Sequence, residues 1–203
     1  MLEGTKGGKV REWGTPPNEA DYYAIEAECQ KRTLNFIKKS VKAKKPFFIS
    51  YQPVVASFLG TQPGEKKKTL AASLLHEFFA DLDLWLPKLQ QTLRDEGVEE
   101  NTLVILMADN GPMTHGGPPG MVETLYRGGK GDYLEGAVRV PFLVRWPGVI
   151  APNQIVGDII HVTDLYTTFA TLAGATEKIP TDRIIDGVDQ TSLLFNGDAH
   201  SRR

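Results

Sequence analysis

The chain is poor in several things that would have decided its class at once. It has one cysteine, Cys29, so no internal disulfide can form, and the redox compartment is left open. No apolar run approaches the length needed to span a bilayer, and Met1-Leu2-Glu3-Gly4-Thr5-Lys6 has no signal-peptide core. Charge of one sign is also lacking: 23 Lys and Arg face 25 Asp and Glu, a net charge of −2, which points to neither nucleic acid nor membrane as a partner. Internal repeats and low-complexity tracts are absent. What remains is a chain of 203 residues with 41% apolar side chains, a globular composition and enough length to bury a core.

The stretch from Val104 to Trp146 organises the rest. Leu103 to Ala108 is a continuous apolar run, too short for an ordinary helix, and predicts a buried parallel strand. Asp109-Asn110-Gly111 follow at its carboxyl end, where open α/β sheets place their ligands. A carboxylate beside a side-chain amide offers hard oxygen donors, suited to Ca²⁺ or Mg²⁺ better than to zinc or copper; Asn-Gly also favours a turn on its own account. Downstream, Gly128-Gly129-Lys130-Gly131 combines backbone that can approach a ligand closely with a compact positive charge, or else presents a solvated lysine. Thr124 stands where a Walker loop needs glycine, and Gly131 follows the lysine, so a nucleotide loop is excluded.

Around this stretch, residues 1 to about 17 read as an irregular leader and residues 18–203 as one domain. Asn18 can cap a helix with Tyr22, Ile25, Cys29, Phe36 and Ile37 at helical spacing; Cys29 then reads as a buried thiol. Lys38, Lys39, Lys42, Lys44 and Lys45 crowd its end, as a solvated terminus complementing the helix dipole. Pro46 to Tyr51 reads as a second buried strand. From Thr69 an apolar stripe through Leu75, Phe78, Leu82, Trp85, Leu86, Leu89 and Leu93 predicts a helix covering the sheet. Pro87 should kink or split it, and Gly97 should end it. His76, Glu77, Asp81 and Asp83 read as a solvated helix face. Pro141 to Trp146 gives a further strand, and Thr163 or Asp164 can cap a helix running to Gly174.

Four blocks in order, ADNG, GGKG, EGAVRVP and RWPGVI, resemble the sulfatases of the alkaline phosphatase superfamily, and weaker similarity extends from about Tyr22 to about Phe195. The resemblance implies an incomplete α/β fold, a mostly parallel sheet with helices on both faces. It implies hydrolysis of a small-molecule sulfate ester, in a family commonly exported or periplasmic. Residue by residue, Asp109 and Asn110 carry over to metal ligands and Lys130 to a lysine contacting the sulfate. Glu135 and Arg139 match positions that would fix the lysine loop. His115 reaches the substrate mouth or is a loop histidine. A family histidine that contacts sulfate aligns with Ser57, whose hydroxyl can bond an oxyanion but brings no positive charge.

Sulfatases attack with a formylglycine made within a C/S-x-P-x-R motif, and no such motif occurs here: Cys29 is followed by Gln30-Lys31-Arg32-Thr33. The paired first-strand aspartates are also absent. The expectation is weak turnover or none from this chain alone. Two other readings stand beside it. One is a metal-assisted phosphate or phosphonate ester hydrolase using metal-bound water. The other is a non-catalytic half that binds a partner chain or a second copy through an exposed sheet edge.

Overall fold

The computed structural model describes residues 2–4, 7–12, 19–53, 71–113, 125–197 and 200–201. These group into two units, Met1–Val98 with Ala108–Val140, and Glu99–Met107 with Pro141–Arg203.

In the first unit, strands β1 (Leu2–Glu3) and β2 (Arg11–Glu12) pair antiparallel, so part of the expected irregular leader is a short ribbon. The reversal contains Gly7 at φ 76°, a left-handed conformation that glycine adopts without a Cβ clash. Helix α1 (Glu19–Lys42) follows from the predicted apolar spacing, and Ile37, 1% exposed, is its anchor in the core. Cys29 is half-buried rather than buried, and burial followed by the Glu26 charge pushes its thiol pKa up. The five lysines at the helix end are all exposed. The helix closes with Lys45 N–H donating to the Ser40 carbonyl across Lys44, which holds φ 53° where glycine is the usual occupant.

Helix α2 (Ala71–Asp95) packs on α1 and runs unbroken through Pro87. Pro87 and Asp83 are both exposed, where solvent can reach the Asp83 carbonyl that has no N–H to accept; of the kink or split expected, the split does not occur. Among the described side chains of the predicted stripe, Trp85 and Leu93 are buried. Trp85 lies 5.5 Å from the Tyr51 ring, and the Tyr51 hydroxyl donates to Glu26 of α1. Gly97, at φ 68°, ends the helix as predicted. Residues 46–51 form no strand: they run extended, with Phe48 71% exposed, because one face is occupied by α1 and α2 contacts through Tyr51 while no ladder partner lies among the described residues.

In the second unit, β3 (Val104–Met107) pairs with β4 (Phe142–Arg145) antiparallel, in the register Val104 opposite Arg145 and Met107 opposite Phe142. The expected parallel arrangement is not what these two strands adopt. An apolar run reports how well a strand is covered but not its direction, and here the chain returns from residues 108–141 to pair back on itself. All four β3 residues are half-buried. Arg145 pairs with Glu99 at 2.8 Å, Trp146 Nε1 donates to the Glu100 carbonyl, and the Trp146 ring meets Phe195 edge-on at 5.8 Å.

Helix α4 (Asp164–Leu172) begins at Asp164, and Thr163 makes no side-chain cap. Asp164, wholly buried, instead accepts His161 N–H, Val188 N–H and Gln190 Nε2, tying the helix start to the segment before α5 (Thr191–Phe195). Gln190 Nε2 also donates to Ser201 Oγ, and Gln190 N–H to Thr168 Oγ1. Gly174, at φ 63°, closes α4 as predicted. Among the described residues, no helix is long and apolar enough to cross a membrane.

Candidate functional site

The chain leaving β3 turns at once through Asp109 and Asn110. Asp109 is exposed, and its carboxylate has no partner among the described residues. Asn110 is half-buried; its Nδ2 donates to the Gly111 carbonyl at 2.7 Å, so its side-chain oxygen is the atom left free. Asp109 and Asn110 thus each bring a side-chain oxygen to the bend that follows β3.

Residues 125–139 lie against this turn through the backbone. Gly111 N–H donates to the Ala137 carbonyl at 2.8 Å, and Lys130 N–H to the Pro112 carbonyl at 2.8 Å. Gly136 N–H donates to the Arg127 carbonyl at 2.9 Å. These approaches leave no room for a Cβ. One on Gly111 would lie 1.9 Å from the Gly136 carbonyl oxygen, and one on Gly136 would lie 2.1 Å from that of Gly128. Gly128 and Gly131, at φ 88° and 95°, give the lysine turn its reversal. Lys130 is thus held three residues beyond Asp109 along the hydrogen-bonded backbone, exposed and without an ion-pair partner among the described residues.

The short helix α3 (Glu135–Val138) carries Glu135, which pairs with Arg139 at 3.1 Å, and the Arg139 guanidinium sits 4.5 Å over the Tyr126 ring. Both partners of the ion pair are more than half exposed, so solvent screens it and the pair contributes little. The backbone interlock of Gly111 and Gly136, rather than the expected Glu135–Arg139 pair, is what fixes the lysine loop.

Sequence reasoning missed Asp132, whose Oδ2 accepts Gly129 N–H at 2.9 Å while its own N–H donates to the Gly129 carbonyl. The signal was available, since Asp commonly closes tight turns through a backbone N–H. Asp81 and Asp83 are exposed, in line with a solvated face. The expected site residues Ser57 and His115 lie outside the described residues, as do the side chains of His76 and Glu77. Among the described residues no group of three or more His, Cys, Asp or Glu is placed to hold a metal. The oxygen donors of Asp109 and Asn110 fit a hard cation in kind; in number they are two of the six or more that Ca²⁺ takes.

Comparison with solved structures relates this partial α/β fold to sulfatases, whose fold is alkaline-phosphatase-like. The PsFucS1 sulfatase from Pseudoalteromonas sp. superposes with a TM-score of 0.80 at 30% identity, over 100% of this chain and 40% of that one. Ps i-CgsB in complex with k-i-k-neocarrahexaose superposes with a TM-score of 0.66 at 27% identity, over 83% of this chain and 38% of that one. A family model described as Sulfatase matches residues 9–175, and the chain belongs to the sulfatase family. Steryl-sulfatase of Rattus norvegicus is 34% identical over 195 residues, covering 89% of this chain and 32% of the relative. Arylsulfatase A of Homo sapiens is 33% identical over 174 residues, covering 84% and 33%. The chain spans about a third of the length of these curated relatives.

Proposed function

We propose that this chain carries the cation-binding turn and the oxyanion lysine of a sulfate-ester hydrolase, and that it turns over little or no ester by itself. In this reading Asp109 and Asn110 supply oxygen ligands, and Lys130 donates to a sulfate oxygen and stabilises the charge on the transferred group. His115 and Ser57, outside the described residues, are assigned to substrate contact here on the family resemblance alone. A divalent cation held at the turn, Ca²⁺ before Mg²⁺, supplies positive charge to the sulfate oxygens. Weak turnover follows from the missing C/S-x-P-x-R motif, which leaves the reaction without its nucleophile.

The observation that supports this reading is a set of three polar heads without a partner among the described residues, Asp109 carboxylate, Asn110 side-chain oxygen and Lys130 ammonium, on two loops joined by the Lys130 N–H bond to Pro112. Two donors alone give affinity for Ca²⁺ on the order of millimolar or weaker. The test is a p-nitrophenyl sulfate assay with added Ca²⁺, alongside calorimetric Ca²⁺ titration. The expected result is no saturable turnover, with weak binding lost in Asp109→Ala. Clear saturable hydrolysis abolished by Asp109→Ala would overturn the inactivity, and binding untouched by Asp109→Ala would overturn the site.

A second reading, a half-site completed by another chain or a second copy, is favoured by β3, an apolar strand with one ladder partner among the described residues. Solution molecular weight tests it: self-association or capture of a complementary sulfatase segment supports it, and a monomer that ignores that segment counts against it.

A further inference from the structure

The turn that displays Lys130 has a negative charge built into it. Asp132 Oδ2 accepts Gly129 N–H at 2.9 Å, and Asp132 N–H returns to the Gly129 carbonyl at 2.9 Å. A Cβ on Gly128 would stand 3.1 Å from the same carboxylate oxygen. The carboxylate is therefore fixed against the backbone that leads into Lys130, and it leaves only by giving up the turn's closing bond. Asp132 is half-buried, whereas Lys130 is exposed, its ammonium without a partner among the described residues. One tight turn thus offers a free cation and a fixed anion.

We infer that Asp132 is a specificity-determining residue, whose fixed charge lets the Lys130 turn accept a singly charged sulfate monoester and penalises a doubly charged phosphate monoester. The inference rests on the reading of Lys130 as an oxyanion-binding lysine. A sulfate monoester carries one negative charge near neutral pH, whereas a phosphate monoester, with its second pKa about 6, carries close to two at pH 8. The Asp132 carboxylate repels each of those charges, so the dianion is opposed about twice as strongly. For an added charge about 4 Å away at the dielectric of bulk water, Coulomb's law gives about fivefold discrimination, which sets the scale of the effect.

The test is binding of phenyl sulfate and phenyl phosphate to the full chain at low ionic strength, by calorimetry, for the wild type, Asp132→Asn and Asp132→Ala. Asparagine keeps an oxygen that can accept Gly129 N–H and removes the charge; alanine removes both. The expected result at pH 8 is a rise of about fivefold in the ratio of phosphate to sulfate affinity in Asp132→Asn. At pH 5, where both esters are singly charged, wild type and Asp132→Asn should give the same ratio. An unchanged ratio in Asp132→Asn at pH 8, or a change confined to Asp132→Ala, overturns the inference. Failure of the wild type to bind either ester overturns the prior reading of Lys130 instead, and the two failures are separate in the data.

Discussion

Replacing Gly136 by alanine tests whether the site loops are held by backbone contact or by side chains. The new methyl carbon would meet the Gly128 carbonyl oxygen at 2.1 Å and those of Arg127 and Tyr126 at 2.7 Å. All three obstacles are backbone atoms, so no side chain can swing aside to make room. Relief requires the 126–128 segment to retreat by about an ångström, enough to weaken the Gly136 N–H bond to the Arg127 carbonyl. Overpacking of this kind costs about 1–3 kcal/mol and the bond about 1 kcal/mol more, so a loss of about 2–4 kcal/mol is expected. The Glu135–Arg139 ion pair, being exposed, contributes on the order of 0–1 kcal/mol, so Arg139→Ala should cost far less. Urea denaturation of the two variants, combined with Ca²⁺ and phenyl sulfate titrations, decides between them. Gly136→Ala should lose ester binding through Lys130 more severely than cation binding through Asp109, because it displaces the lysine loop from the turn. A Gly136→Ala variant within about 0.5 kcal/mol of wild type, or one less damaging than Arg139→Ala, refutes the backbone interlock.

Three further outcomes are expected. Lys44→Gly relieves a left-handed lysine at the end of α1 and should raise stability by about 0.5–1 kcal/mol, read as a higher urea midpoint; a lower midpoint refutes it. Asp164→Ala leaves the Val188 and His161 N–H groups without their acceptor and takes one of the two acceptors of Gln190 Nε2, and should cost about 2–3 kcal/mol, with Asp164→Asn milder because it keeps an acceptor; an alanine variant as stable as asparagine counts against the network. Cys29 should react with iodoacetamide with an inflection at higher pH in the folded chain than in urea, since burial disfavours its thiolate. The same raised pKa means that its contribution to stability is present below the unfolded thiol pKa and is lost as pH rises through the folded one. Identical pH profiles for the two states refute the shift.

Much of the site was legible because its chemistry is local. The apolar run before Asp109 marks a strand, Asp-Asn-Gly marks a polar turn, and paired glycines around Lys130 mark a backbone that must bend sharply; each expectation follows from a few adjacent residues, and the structure forms each of these local elements. What escaped notice depends on partners distant in sequence. The antiparallel pairing of β3 is set by where residue 142 returns, which no period in Val104–Met107 encodes. The strand expected at 46–51 failed for the same reason, since apolar residues such as Phe48 predict coverage that a ladder partner must supply. At Pro87 a kink or a split was expected and the split did not occur, because propensity counts the lost hydrogen bond and not the exposure of the carbonyl it frees. Asp132 was overlooked beside the lysine, although its spacing from Gly129 suits a side-chain turn closure.

Met107 faces Phe142 directly across the ladder, so the polypeptide departs toward Asp109 and re-enters after Val140 through neighbouring rungs, about 5 Å apart. Such a doorway is indifferent to how long the excursion is, because closure entropy climbs only about 0.6 kcal/mol for each doubling of length. Residues 108–140 nevertheless belong with Met1–Val98, so what limits rewriting them is the first unit that they complete and not the cost of closing the ladder.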